Sequence, residues 1–167
     1  MSLLKQYRKL ADEGDKFHGL TILQHAKQLS GIVKANEIDS MIDWGCGRGD
    51  AYFSPHDVWK TIGIRPARIQ LYDPSFKHRS KPPSRPADLV VCSDVLEHIP
   101  EADVPAFVAN LFAHAKKHVW ASVCCRPAEK CFPDGTNLHV TLRPMVWWHD
   151  TFAEHAGGKA FTLTETP

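Results

Sequence analysis

Three short stretches of this 167-residue chain carry residue types and spacings that could do chemistry. The first is Asp43-Trp44-Gly45-Cys46-Gly47-Arg48-Gly49, in which glycine recurs at every second position directly after the β-type run 40–44. Glycines let a backbone approach a ligand closely and take angles that other residues avoid, and a turn of this kind lies at the carboxyl end of an α/β sheet, where such folds bind ligands. The second is Asp73, which ends Ile69-Gln70-Leu71-Tyr72-Asp73, 24 residues beyond Gly49. A carboxylate there can accept hydrogen bonds from both hydroxyls of a ribose held at the neighbouring loop. The third is Ser93-Asp94-Val95-Leu96-Glu97-His98-Ile99-Pro100, which follows an apolar run and brings two carboxyl groups and an imidazole close together.

Each stretch also has a plainer reading. A glycine-rich loop by itself is an ordinary strand-to-helix turn, and Asp73-Pro74 is a common turn starter. Glu97 and His98 could open a helix, with the glutamate favourable to its dipole and the histidine on the surface. The pairing of Asp73 with the glycine loop is what favours a ligand site. A nicotinamide or flavin fingerprint calls for glycine at position 50, where Asp50 stands, and a phosphate loop calls for Lys followed by Ser or Thr, which Arg48-Gly49-Asp50 lacks.

The elements that must position these stretches follow from periodicity. Ile22, Leu23, Ala26, Leu29, Ile32 and Val33 recur at helical spacing and predict a helix over 21–35, part of a helical lead-in over about 1–37. Strands are expected at 40–44, 68–72, 88–92, 118–124 and 159–164, the third without polar alternation, as when both faces of a parallel strand are buried. Pro55 shortens or interrupts the helix after the glycine loop. Asp103 is placed to cap a helix with Val104, Phe107, Val108, Leu111, Phe112 and Ala115 on one stripe, Pro105 falling in its first turn. A last helix over 144–155 turns Met145, Trp148 and Phe152 inward and closes at Gly157-Gly158. Strands alternating with helices predict an α/β, Rossmann-like, mostly parallel open sheet with helices on both faces. The chain length suits one domain over 1–167.

Taken together, Asp-x-Gly-x-Gly-x-Gly, an acidic residue ending the second strand, and Asp-Val-Leu-Glu-His after a buried strand resemble the class I S-adenosylmethionine-dependent methyltransferases, in particular those described as type 11 or 12. The likeness runs over about 38–161. It implies S-adenosylmethionine as cofactor and S-adenosylhomocysteine as product. Asp43, Gly45, Cys46, Gly47 and Gly49 would lie along the methionine moiety, Asp73 would hold the ribose, and Ser93 and Asp94 would line the mouth of methyl transfer. Asn137-Leu138-His139-Val140-Thr141 resembles the segment before the family's last crossover helix, which often faces the acceptor. The chain departs from the pattern between Asp73 and Asp88, where 14 residues leave no room for the customary third strand and its flanking helices. The residue that contacts adenine from that strand then has no counterpart, and the basic loop 77–86 or a partner subunit is expected to cover the base.

Methyl transfer from a sulfonium is an in-line displacement with a neutral thioether leaving group, so the protein mainly aligns the acceptor and excludes water. Where the acceptor must lose a proton, Asp94, Glu97, His98 and His139 are the available bases. Cys124, Cys125, Cys131 and His139 match no usual zinc spacing, and adjacent cysteines on a strand point to opposite faces, so no metal site is expected. The odd count of five cysteines argues for reduced thiols rather than a disulfide framework.

With 20 basic and 19 acidic residues there is no global field to attract nucleic acid or a membrane. A small-molecule acceptor is expected, with a protein, or nucleic acid through the basic, proline-rich loop 77–86, as the alternatives. No apolar run is long enough to span a bilayer and no secretory leader is evident, which predicts a cytoplasmic protein. An exposed sheet edge where the third strand would lie predicts a homodimer. The competing reading is a noncatalytic subunit that keeps the S-adenosylmethionine fold as a scaffold.

Overall fold

Alternate residues of the central strands feed two different apolar layers, and this sorting builds the fold. Strand β1 (Met41–Trp44) is buried throughout. Met41 packs with Leu89 and Val91 on one face, whereas Ile42 and Trp44 pack with Val90 and Cys92 on the other. The computed structural model describes residues 2–13 and 17–166. Over these, β1, β2 (Ile69–Tyr72), β3 (Ala87–Ser93), β4 (Ala115–Val123) and β5 (Ala160–Glu165) form one sheet in the order β2-β1-β3-β4-β5, with every neighbouring pair parallel.

The described residues also form the helices α1 (Leu3–Asp12), α2 (Ile22–Ala35), α3 (Val58–Ile62), α4 (Val104–His114) and α5 (Met145–His155). Helices α2 and α3 cover the Met41 face through Ile22, Leu29, Val58 and Ile62, and α4 with α5 covers the other through Val108, Leu111, Trp148 and Phe152. The expected doubly covered α/β sheet is therefore present. Helix α1 packs with neither layer. Its Leu10 joins Phe132 and Leu138 in a third, smaller cluster with Tyr7 and Phe17 at its edge.

The chain leaves β1 for β2 on one side and returns to β3 on the other, so the strand order reverses between β1 and β3. Parallel sheets open a crevice at such a switch point, outside the carboxyl ends of the strands. The loops after β1 and β3 carry the glycine motif and Ser93–His98, and they meet there. Between β2 and β3 the chain makes turns without a strand or helix, so β2 is an edge strand and only half-buried.

Two local expectations are corrected. The side chain of Asp103 makes no cap hydrogen bond; a 3-10 turn over Glu101–Asp103 leads into α4 instead, with Pro105 in the first turn. Glu97 and His98 do not open an exposed helix. They lie on a single 3-10 turn, Leu96–His98, in which Leu96 and Glu97 are buried. Pro55 has the anticipated effect, since α3 is only 5 residues long. All five cysteines are free thiols.

Candidate active site

The glycine loop is shaped by what presses against it. Gly47 has φ +57, and a Cβ there would stand 2.2 Å from the carbonyl oxygen of Phe17; a Cβ on Gly45, at φ +88, would stand 2.3 Å from Val95 Cγ2. The loop is thus clamped between the 17–19 segment and the turn after β3. Backbone hydrogen bonds hold the clamp, from Arg48 N–H to Phe17 O at 2.9 Å and from Asp50 N–H to His18 O at 3.0 Å.

Asp73 joins the loop to the end of β2. Its Oδ2 accepts the N–H of Gly47 at 2.9 Å and its Oδ1 accepts the N–H of Ser75 at 2.7 Å. Burial raises its carboxyl above the ordinary range, opposed by these hydrogen bonds. The Ser75 side chain also bonds this carboxyl group, and Oδ2 keeps a further lone pair for a ligand. Asp43 lies behind the loop, where its Oδ2 accepts the hydroxyl proton of Tyr52 at 2.9 Å. Burial pushes Asp43 up to about 7, against the pull of the Tyr52 bond.

A cavity of about 720 Å³ opens over these groups, within the range of a pocket for a nucleoside-sized ligand. Gly45, Gly47, Asp73, Ser93, Asp94 and His98 all line it. Among the other residues singled out in the sequence, Asp43 and Cys46 are buried behind this wall, Gly49 is buried beside Leu71 and Arg79, and His139 stands outside, its ring 4.9 Å from that of His98. The basic loop 77–86 contributes nothing to the lining. Leu3, Leu4 and Tyr7 of α1 and the turn Pro74–Phe76 supply the wall instead, and the cavity continues past Trp44 to Phe107 and Asn110 on α4.

The turn after β3 is the most constrained part of the site. Asp94 sits at φ +52, a left-handed conformation that costs a non-glycine residue about 1–2 kcal/mol. Its surroundings impose it: Asp94 N–H donates to Ser122 O at 3.1 Å, and Asp94 Oδ1 accepts the hydroxyls of Ser122 at 2.6 Å and Thr166 at 2.5 Å. Glu97 Oε1 accepts Cys124 N–H at 3.0 Å, while burial and the nearby Asp94 charge push this carboxyl up to about 8. His98 is wedged under α1, its Nδ1 2.9 Å from both Tyr7 Oη and Leu138 O. Burial lowers His98 to about 4, so its ring is neutral at physiological pH.

A family model described as a methyltransferase domain matches residues 7–165, from α1 to the end of β5. The chain belongs to this family. No curated protein and no solved structure matches it. The methyltransferase domain thus takes in the whole sheet, both clamping loops and all but the first turn of α1, which agrees with the class I resemblance carried by the three motifs. Tyr7 and Phe17 are parts of the domain's site that motif spacing does not reveal. A helical repeat of Leu3, Tyr7 and Leu10 is the one local signal for α1, and it says nothing of where that helix docks.

Proposed function

We propose that the chain binds S-adenosylmethionine in the cavity over Gly45–Gly47 and Asp73 and transfers its methyl group to a small-molecule acceptor, leaving S-adenosylhomocysteine. One observation carries this reading. The carboxyl group of Asp73 is fixed to the backbone of Gly47 at the switch point of the sheet and lines a cavity large enough for the cofactor. The cofactor supplies an electrophilic methyl on a sulfonium, whose departure as a neutral thioether calls for no triad.

The residues present suit each part of that molecule. Gly45 and Gly47 offer backbone without side chains to the methionine end, and Asp73 offers two oxygens to vicinal hydroxyls. Pro74 and Phe76, on the turn that follows Asp73 and lining the same cavity, offer apolar surface to the adenine in place of the missing third strand. Asp94 and His98 line the same cavity, where their side chains can orient an acceptor. Tyr7 and the apolar residues of α1 roof the cavity and exclude water, which strengthens every polar contact inside it.

Calorimetry tests the proposal. Wild-type chain should bind one equivalent of S-adenosylmethionine, and Asp73→Ala should bind at least tenfold more weakly, as loss of charge-assisted hydrogen bonds worth about 1.5–3 kcal/mol implies. Absence of binding by the wild type would overturn the proposal, and tighter binding of a nicotinamide dinucleotide would replace it with an oxidoreductase. Cofactor binding without methyl transfer to any offered acceptor class would point to the noncatalytic subunit.

A further inference from the structure

Beside the cavity, Glu97, His98 and His139 bring one carboxylate oxygen and two imidazole nitrogens within 4.8 Å of one another. Their hydrogen bonds show which atoms are on offer. His98 Nδ1 faces the carbonyl oxygen of Leu138 at 2.9 Å, and His139 Nδ1 faces that of Arg126 at 2.5 Å. A carbonyl oxygen only accepts, so both Nδ1 atoms carry the proton and both Nε2 atoms keep a bare lone pair. Backbone carbonyls hold metal-ligating histidines in this same way, fixing tautomer and ring orientation from behind.

Glu97 supplies the independent sign. Its side chain is fully buried, and although Oε1 accepts the N–H of Cys124, Oε2 has no hydrogen-bond partner among the described residues. A buried carboxyl oxygen without a hydrogen-bond partner is costly, and a bound cation removes that cost. Two turns of chain far apart in sequence converge to place it there: Thr141 N–H donates to Glu97 O at 3.0 Å, locking the 139–141 segment onto the Leu96–His98 turn.

We propose that Glu97, His98 and His139 hold a divalent first-row transition-metal ion at the edge of the cavity, with open coordination positions for an oxygen donor of the methyl acceptor. Two imidazoles and one carboxylate suit zinc, iron, cobalt or manganese, and three protein ligands leave at least one position free. Metal–ligand lengths of about 2.0–2.2 Å would draw the three groups, already within 4.8 Å of one another, closer together. His98 lines the cavity, so the ion shares its wall with the cofactor site.

The acceptor class rests on the methyl-transfer reading; the metal site does not. A hydroxyl coordinated at the open position is acidified and its proton passes to water. The resulting oxyanion forms an O–C bond to the methyl carbon of S-adenosylmethionine while the C–S bond breaks, its electron pair returning to sulfur. The expected acceptor is therefore a hydroxyl compound, and the expected product a methyl ether.

Cobalt titration of the untagged, metal-free chain, without cofactor, tests the site. One Co²⁺ should bind per chain with visible ligand-field bands and no thiolate charge-transfer band. Glu97→Gln and His139→Ala should each weaken it about 100-fold or more, whereas Cys124→Ser and Cys131→Ser should not. His139 is on a half-exposed loop, so its variant keeps the wild-type melting curve, which guards against misfolding of the Glu97 variant. No stoichiometric binding at millimolar cobalt, or binding that survives His139→Ala, would overturn the proposal. Separate calorimetry with S-adenosylmethionine on metal-free chain shows whether the cofactor reading stands or falls independently.

Discussion

Replacing Gly47 with alanine tests how the glycine loop is built, because Gly63 provides a matched control. Both residues have positive φ, +57 and +91, but a Cβ on Gly63 meets nothing within 4 Å, whereas on Gly47 it would lie 2.2 Å from Phe17 O. Gly63→Ala should therefore cost only the left-handed backbone conformation, about 1–2 kcal/mol. Gly47→Ala adds the displacement of the 17–19 segment and with it the hydrogen bonds from Arg48 N–H and Asp50 N–H, at about 1 kcal/mol each, for a total of about 3–4 kcal/mol. In a domain of this size that is a fall in melting temperature of roughly 10 °C, against roughly 5 °C for Gly63→Ala. Phe17 and Gly19 line the cavity, so Gly47→Ala should also weaken S-adenosylmethionine at least tenfold while Gly63→Ala leaves its affinity unchanged. Differential scanning calorimetry and titration calorimetry read the two effects. Equal melting shifts and equal affinities for the two variants would refute the clamp.

Other perturbations follow from single contacts. Asp73→Ala leaves the N–H groups of Gly47 and Ser75 without their acceptor and should cost about 1–3 kcal/mol of stability in addition to its effect on the cofactor, seen in urea unfolding. The carboxyl of Asp43, at about 7 in the fold and near 3.8 when free, contributes fully to stability below about pH 4. That contribution is lost as pH rises through 7, and a difference of this size amounts to about 4 kcal/mol. Asp43→Asn, whose amide oxygen can still accept from Tyr52, should flatten the profile and be more stable than wild type at about pH 8.5, by comparison of melting temperatures at both ends. Tyr7→Phe removes the hydroxyl that donates to Leu138 O at 2.8 Å and contacts His98 Nδ1; a loss of about 1 kcal/mol is expected, with faster amide exchange confined to α1.

Strand β3 was legible because burial on both faces forces the apolar run Leu89–Cys92, β1 because its short β-type run ends in the glycine cluster, and the glycine loop because crowding leaves no other residue type. The absence of a third strand could be read from the 14 residues after Asp73, since a strand with two flanking helices does not fit that length. The closure of the cavity was not legible. It depends on Tyr7 meeting His98, 91 positions away, and Leu138, 131 positions away, so that α1 rather than loop 77–86 forms the wall. Glu97 reads locally as a residue at a helix start, and only the approach of Cys124 and of the 139–141 segment makes it buried. His98 and His139 appear in the sequence as separate candidates for a base. Their facing rings are a property of the tertiary fold alone.

A crystal structure of the chain with S-adenosylhomocysteine tests the central claim most directly. Both ribose hydroxyls should be hydrogen-bonded to Asp73, with the amino acid end along Gly45–Gly47 and the sulfur facing Asp94 and His98. A cofactor bound elsewhere, or lying in the cavity with its ribose turned away from Asp73, would contradict it.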